Sequence, residues 1–189
     1  MKTTLKHIAN IQTGIYAQTV LSGTVVYLQA KHFNENGHLY DTVIPDLPLD
    51  NQTEKHLLND GDVIFAAKGS KNFAAQYESK NGNCVASSTF LVIRLTDKFR
   101  TRILSEYLVW FINHQRTQEW LKAKARGSSI PSISKMDLQE LEITIPLIEK
   151  QKAIVKIDSL QKTEQSILKK IQLLKEQYIQ HRLISAINK

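Results

Sequence analysis

The last 43 residues of the chain, 147–189, contain neither glycine nor proline and consist mainly of good helix formers such as Lys, Gln, Leu, Ile and Glu. This composition predicts one uninterrupted helix over residues 149–187. At a rise of about 1.5 Å per residue, such a helix would be roughly 58 Å long, which exceeds the diameter of a small domain. Its length therefore constrains the architecture more than any other feature of the sequence.

A heptad repeat of apolar side chains marks one side of the predicted helix. Apart from an interruption at Glu164, the stripe consists of Ala153, Ile157, Leu160, Ile167, Ile171, Leu174 and Tyr178. A single helix cannot bury such a stripe against itself, and its length disfavours folding back over the preceding residues. We therefore predict a coiled coil in which the stripe contacts a second copy of the chain or another protein, through Ile157, Leu160, Ile167, Ile171, Leu174 and Tyr178.

The preceding part of the chain changes from a strand-like to a helical pattern near residue 100. Runs of β-branched and aromatic residues at 24–29, 63–67 and 88–95 predict short strands separated by turns. From Ser105, a candidate N-cap, helical spacing predicts two short helices that end at Gly127. Ser134 with Asp137 indicates another cap, and residues 141–145 alternate as a strand. The prediction is a mixed α+β fold: a β-rich globular domain with short helices, then one long coiled-coil helix.

Composition limits the classes of protein to which the chain can belong. Its 189 residues, 42% of them apolar, suffice for one domain with an appendage. The single cysteine, Cys84, excludes an intrachain disulfide, and we expect it to be a small buried hydrophobe. The apolar runs at 63–67 and 107–112 are far shorter than the roughly 20 residues of a membrane helix. With no pattern of a signal peptide at its start, a cytoplasmic protein without membrane contact is expected.

The net charge of +7 is unevenly distributed along the chain. Residues 149–189 carry +5 and residues 1–148 only +2. Within the latter, residues 31–62 hold two basic and seven acidic side chains, whereas residues 94–126 hold eight basic and three acidic ones. Because basic surfaces attract nucleic acid by neutralising its phosphates, the charge favours a nucleic-acid partner, but only slightly.

Patterns typical of catalysis are sparse. Asp46, Glu78 and Lys80 have the residue types and order of a nuclease in which two carboxylates hold Mg²⁺ beside a lysine. However, Glu78 and Lys80 lie in a polar run that enters a turn, whereas such a pair normally lies on a core strand. The sequence has no glycine-rich phosphate loop, no nucleophile elbow and no metal-ligand spacing of His or Cys. It predicts a chain without catalytic residues, metal or cofactor.

Three loops combine amide, hydroxyl and basic side chains, which can read base edges and position phosphates in DNA. Taken singly, each loop is more simply interpreted as a solvated turn. Together with the basic stretch at 94–126, they predict a DNA-binding surface formed by Gln29, Lys31, His32, Lys68, Ser70, Lys71, Asn72, Arg126, Ser128 and Ser129.

Residues 125–154 carry a pattern that resembles a known family. The pattern runs through Gly127-Ser128, Ile133-Ser134, Asp137-Leu138, Ile145-Pro146 and Gln151-x-x-Ile154. It resembles the end of a target recognition domain and the following spacer helix in specificity (S) subunits of type I restriction–modification systems. The runs at 61–65 and 85–95 look like the central strands of that family. Where the family commonly has Pro-Pro-Leu-x-Glu-Gln, this chain has Pro146-Leu147-Ile148-Glu149-Lys150-Gln151, which keeps Gln151 and Ile154 in phase.

The resemblance implies a target recognition domain at residues 1–146 and a spacer or dimerisation helix at residues 147–189. A full S subunit resembles two such units in tandem, whereas this sequence has no internal repeat, so it looks like a half-length S subunit that forms a homodimer. Two-fold symmetry then implies an interrupted palindrome as the target in double-stranded DNA.

The resemblance also implies that the chain has no catalytic activity of its own. Its expected partners are a methyltransferase (modification) subunit and, where present, a restriction subunit. S-adenosylmethionine, ATP and Mg²⁺ are expected only on those partner subunits. The alternative is a truncated or decoy interaction protein that docks partners through its helix without reading DNA.

Overall fold

A computed structural model describes residues 1–34, 37, 39–40, 43–69, 71–127 and 130–187. The chain divides into two compact units, Met1–Gln151 and Lys152–Lys189. The first unit mixes strands with short helices and the second is helical, which confirms the predicted α+β class. The boundary at 146/147 between a target recognition domain and a spacer or dimerisation helix stays a prediction.

An antiparallel four-stranded sheet forms the centre of the first unit. Its strands are β2 (Ala9–Thr13), β4 (Val63–Ala66), β5 (Ala74–Gln76) and β7 (Phe90–Leu95), in the spatial order β2-β7-β4-β5. β4 is buried throughout and pairs with β7 from Val63 opposite Ile93 to Ala66 opposite Phe90. This confirms the strands predicted at 63–67 and 88–95, because continuous β-branched and aromatic runs suit a strand in the core.

Two smaller strand pairs flank the central sheet. β3 (Val26–Leu28) runs parallel to β6 (Cys84–Ala86), and β1 (Lys2–Thr4) runs antiparallel to β8 (Glu142–Thr144). The strands predicted at 24–29 and 141–145 are thus confirmed with shorter bounds. Cys84 is 1% exposed, and burial raises the pKa of its thiol to about 12, which confirms the buried cysteine.

Short helices connect and cover these strands. They are α1 (Asn51–Lys55), α2 (Asp97–Arg100), α3 (Ser105–Asn113), α4 (Gln115–Lys124) and α5 (Lys135–Gln139). The two predicted helices correspond to α3 and α4, and Ser134 caps α5 by accepting from the Asp137 N–H at 3.0 Å, as predicted. The predicted cap at Ser105 is wrong, because Leu104 is the N-cap residue and the Ser105 hydroxyl donates to the Gly61 carbonyl at 2.6 Å. The second helix ends at Lys124, before Gly127.

Gly14 lies where the backbone turns from β2 towards the β3–β6 pair. Its N–H donates to the Phe90 carbonyl at 3.0 Å, and a Cβ atom built on it would lie 2.2 Å from the Ser87 carbonyl oxygen. Because that contact is to backbone, no side-chain movement could relieve it. Glycine is therefore required at this position for the strands to approach each other.

An ion pair joins Arg94 on β7 to Asp62, the residue directly before β4. The Asp62 side chain is 1% exposed and accepts from Arg94 Nε at 2.8 Å and from Arg94 Nη2 at 2.6 Å. Asp62 Oδ2 also accepts from the Asn59 N–H at 2.8 Å. These hydrogen bonds hold Arg94 in its charged form and raise its pKa above the usual value.

The long helix, α6, spans Ile148–Ile187, so the prediction of a single C-terminal helix is confirmed. Its first turn holds Gln151, which is fully buried. Gln151 Oε1 accepts from the Leu104 N–H at 3.0 Å, while Nε2 donates to the carbonyls of Arg102 (2.7 Å) and Pro146 (2.9 Å). Within the described residues, no helix combines the length and apolar character needed to cross a membrane.

Candidate nucleic-acid interface

A cluster of three phenylalanines holds the tips of several strands together. Phe33 follows the loop 29–32, Phe73 follows the loop 68–72 and Phe90 follows the turn 87–89. The ring centroids lie 5.4 Å apart for Phe33–Phe73, 5.7 Å for Phe33–Phe90 and 6.1 Å for Phe73–Phe90. Because edge-on and tilted packing of aromatic rings is favourable, the cluster brings the three preceding polar segments side by side.

The first of these segments begins where β3 ends. Residues 30–32 form one 3₁₀ turn, closed by mutual hydrogen bonds between Gln29 and His32, including Gln29 N–H to His32 Nδ1 at 3.3 Å. Burial, followed by the charge of Lys31, lowers the pKa of His32 from its ordinary 6.5. The Lys31 side chain is exposed. The segment therefore presents a cationic lysine beside a histidine that favours the neutral state.

The second segment is a loop from β4 to β5 that is closed by its own side chain. Asn72 Nδ2 donates to the Ala66 carbonyl at 2.8 Å, and the Ala66 N–H donates to the Phe73 carbonyl at 2.8 Å. Lys68 and Lys71 are exposed on this loop. Asn72 thus fastens the base of the loop, while the lysines extend from it. The predicted Ser70 lies outside the described residues.

A further segment, which the phenylalanine cluster does not include, carries Arg126 and pairs with the second segment through backbone hydrogen bonds. Arg126 and Ser132 exchange two of them, at 3.0 and 2.8 Å, and the Gly69 N–H donates to the Pro131 carbonyl at 2.9 Å. Ser132 also forms a β-bridge with Lys68. The structure thus places exposed Arg126 next to the Lys68 loop. The predicted Ser128 and Ser129 lie outside the described residues.

Sequence reasoning missed the turn that links these segments. The Ser87 N–H donates to the Leu28 carbonyl at 2.9 Å, and the Thr89 carbonyl accepts from the Ala67 N–H at 3.0 Å. Ser87 Oγ and Thr89 Oγ1 are 2.7 Å apart. The sequence signal for this turn is the hydroxyl-rich triplet Ser87-Ser88-Thr89 directly before the buried strand β7. We call the assembled surface the loop edge; it carries Gln29, Lys31, His32, Lys68, Lys71, Asn72 and Arg126.

The residues of the nuclease alternative have separate partners. Asp46 Oδ1 accepts from the Tyr27 N–H at 2.8 Å, and Glu78 forms an ion pair with Lys80. Among the described residues, no three His, Cys, Asp or Glu side chains form a group that could hold a metal ion. The nuclease alternative therefore gains no support from the structure.

The second unit exposes the predicted stripe of α6. Exposure ranges from 43% at Ile171 to 65% at Tyr178, and the other four predicted contact residues lie between these values: Ile157, Leu160, Ile167 and Leu174. Large apolar side chains exposed in a row are typical of an interface rather than of free surface. Which molecule covers the stripe stays a prediction.

Comparison with known proteins gives one family. The model of the type I restriction modification DNA specificity domain matches residues 2–176. No curated protein matches the sequence.

Several solved structures share the fold. The S subunit of a type I restriction-modification system from M. genitalium is 18% identical, with a TM-score of 0.59 over 85% of this chain and 38% of that one. The HsdS subunit from Thermoanaerobacter tengcongensis is 19% identical, with a TM-score of 0.58 over 86% of this chain and 37% of that one.

A chain from a structure of type I R-M system assembly and conformational transition is 16% identical, with a TM-score of 0.57 over 88% and 39% of the two chains. This chain thus spans less than two fifths of each solved chain. At these identities the likeness shows the fold.

Proposed function

This chain belongs to the family of type I restriction modification DNA specificity domains, and on that premise we propose that it reads one half of a bipartite DNA target for a methyltransferase subunit. The observation that carries the proposal is the loop edge. Three polar segments that are distant in sequence are held side by side by the phenylalanine cluster and by backbone hydrogen bonds.

The chemistry of the loop edge suits duplex DNA. Lys31, Lys68, Lys71 and Arg126 are exposed cations that can neutralise phosphates, and Arg126 can also donate two parallel hydrogen bonds to guanine. Gln29 Nε2 and His32 Nε2, the side-chain nitrogens that do not close the 3₁₀ turn, can donate to base edges. In this assignment Asn72 acts through the shape of its loop, because its amide nitrogen is already bonded to Ala66.

The test begins by finding the target. The chain is co-expressed with its modification subunit in a host lacking other methyltransferases, and methylated sites are mapped across the genome. We expect a single bipartite motif whose halves are inverted copies, since two-fold related recognition domains would read identical half-sites. A host without any new methylated motif would support the alternative of an interaction protein that does not read DNA.

The mapped duplex then tests the loop edge itself. In the complex with the modification subunit, alanine at Lys31, Lys68, Lys71 or Arg126 should weaken binding and lower the slope of log affinity against log salt by about one unit each. Lys55→Ala, which removes an exposed lysine on α1, serves as the matched control. Unchanged affinity and slope in all four variants would refute the assignment of this surface.

The second unit would supply the symmetry that the proposed target requires. We propose that its exposed stripe pairs with the same stripe of a second copy. Light scattering should then give about twice the chain mass of 21.6 kDa at micromolar concentration. Ile171→Asp with Leu174→Asp should shift the mass to that of one chain, whereas Lys169→Asp on the opposite side should not. A monomer in the unmodified chain would refute the self-pairing.

The proposal assigns the reaction to other subunits. S-adenosylmethionine, ATP and Mg²⁺ would bind the modification and restriction subunits, and the chain itself would direct them to the site. Calorimetric titration of the isolated chain with S-adenosylmethionine should give no binding heat, while the complex with the modification subunit should bind it. Binding by the isolated chain would contradict this division of roles.

A further inference from the structure

A cleft that shares no lining residue with the loop edge contains both tryptophans of the chain. It has a volume of about 470 Å³ and lies between α3, α4 and the β1–β8 pair. Trp110 and Trp120 line it together with Phe111, and all three rings are half-buried. A concave site of this volume is within the usual range for specific binding, which is about 300–1,000 Å³.

Contacts with neighbouring side chains hold the aromatic rings of the cleft in place. The Trp110 ring packs in a tilted arrangement against Tyr107 and His114, with centroid distances of 5.5 Å and 5.4 Å. Tyr107 is buried, and its hydroxyl donates to the Thr144 carbonyl at 2.6 Å, which ties α3 to β8. Lys124 Nζ lies 5.6 Å from the centre of the Trp120 ring. Binding to such a surface costs little conformational entropy, because the rings are already ordered.

The composition of the cleft is typical of a protein-binding hot spot. Tryptophan, tyrosine and arginine are the residues enriched where a few side chains carry most of the affinity. Here Trp110 and Trp120 occur with Arg116, whose side chain is exposed at the entrance. Two half-buried tryptophans beside an exposed arginine are more typical of a binding surface than of a helix face that contacts only solvent.

The charge around the cleft selects the partner. Arg116 and Lys124 lie on the same face of α4 as Trp120, because the three residues follow one another at a spacing of four. Glu119, the acidic residue of this helix, accepts a hydrogen bond from Gln115 at 2.8 Å. Lys2 and Glu142 at the opposite wall pair with each other at 2.5 Å and so contribute no net charge. The positive side of the cleft complements carboxylates, since unlike charges steer association and exclude wrong partners.

We propose that this cleft docks an acidic segment of a partner protein, which inserts one aromatic or aliphatic side chain against Trp110 and Trp120 and places carboxylates beside Arg116 and Lys124. The inference goes beyond the proposed DNA reading and does not depend on it. A protein segment fits better than a nucleic acid because the cleft combines apolar walls with few cations, whereas phosphate tracks require a row of them.

The experiment selects ligands without prior assumption about their sequence. A display library of random dodecapeptides is panned against the full chain, and Arg116→Glu is used for counter-selection. We expect the enriched peptides to carry net negative charge and one large apolar residue. Because Trp110 and Trp120 are the only tryptophans, a synthetic copy of an enriched peptide should change the intrinsic fluorescence of the chain on binding.

Matched variants then locate the contact. Arg116→Glu should weaken the affinity for the acidic peptide by about tenfold or more, in keeping with the loss of a charge contact. Arg102→Glu, which reverses another exposed arginine that does not line the cleft, should leave the affinity unchanged. Circular dichroism of both variants checks that the fold is retained.

Three outcomes would overturn the proposal. The first is a library that yields no peptides preferring the unmodified chain over Arg116→Glu, and the second is enrichment of basic peptides. The third is an oligothymidylate that changes the tryptophan fluorescence and loses affinity in Arg116→Glu, which would make the cleft a nucleic-acid site.

Discussion

The buried side chain of Gln151 allows the contribution of one family motif residue to be measured. In Gln151→Ala the Leu104 N–H loses its acceptor, and the carbonyls of Arg102 and Pro146 lose their donor. Each hydrogen bond contributes about 1 kcal/mol net, and the one buried methylene that is removed, Cγ, adds about 0.8 kcal/mol. The free energy of unfolding should therefore fall by about 3–4 kcal/mol.

Urea denaturation followed by tryptophan fluorescence measures this change, since Trp110 and Trp120 both belong to the first unit. The corresponding fall in Tm would be about 10 °C for a chain of this size. Gln161→Ala, at an exposed position of the same helix, should change the stability by less than about 0.5 kcal/mol. If Gln151→Ala and Gln161→Ala differ by less than about 1 kcal/mol, the three hydrogen bonds do not stabilise the unit as argued.

Other perturbations test the packing and the ionisable groups of the first unit. Gly14→Ala should reduce its stability by at least about 2 kcal/mol in urea denaturation, because the added Cβ meets backbone; a stability equal to the unmodified chain would show that the strands can separate. Arg94→Met should cost about 3 kcal/mol, since it leaves the Asp62 carboxylate buried without its counter-charge, and recovery of that loss in a double variant with Asp62→Leu would confirm the cause. Cys84, with a pKa of about 12, should not react with a disulfide reagent at pH 8 unless urea is added, and rapid reaction of the folded chain would contradict its burial. In NMR spectra the titration midpoint of His32 should lie below 6.5. Because a lowered pKa favours the neutral imidazole in the folded state, the contribution of His32 to stability is present above pH 6.5 and is lost as the pH falls through the folded pKa. A midpoint at or above 6.5 would refute this.

Local patterns predicted β4, β7 and the long helix, but not β2 or β5, which complete the central sheet. The continuous apolar run of β4 predicts a buried strand, and the absence of glycine and proline after Pro146 predicts α6. Ser105 shows the limit of such reasoning, because its hydroxyl satisfies the Gly61 carbonyl from another part of the chain. A capping motif takes into account only the hydrogen bonds within its own turn. A carbonyl from a distant part of the chain can therefore take the hydroxyl away from the predicted cap.

The candidate site depended more strongly on the tertiary structure. Its residue types were recognisable in three separate loops. Nothing in their sequences indicates that Phe33, Phe73 and Phe90 would meet and bring two of these loops together, or that Arg126 would pair with Ser132 beside the Lys68 loop. The aromatic cleft was missed altogether, since Trp110 and Trp120 read as ordinary apolar residues of two helices.

The sequence by itself determined the mixed α+β class, the single long helix with its apolar stripe and the resemblance to S subunits, because these depend on neighbours within about one or two helical turns or one strand. Only the tertiary structure decided which polar loops form one surface, why Gly14 must be glycine and how Gln151 is used. Those outcomes depend on contacts between residues many positions apart, such as Gln151 with Leu104. Packing of the whole unit selects such contacts, and no local pattern encodes them.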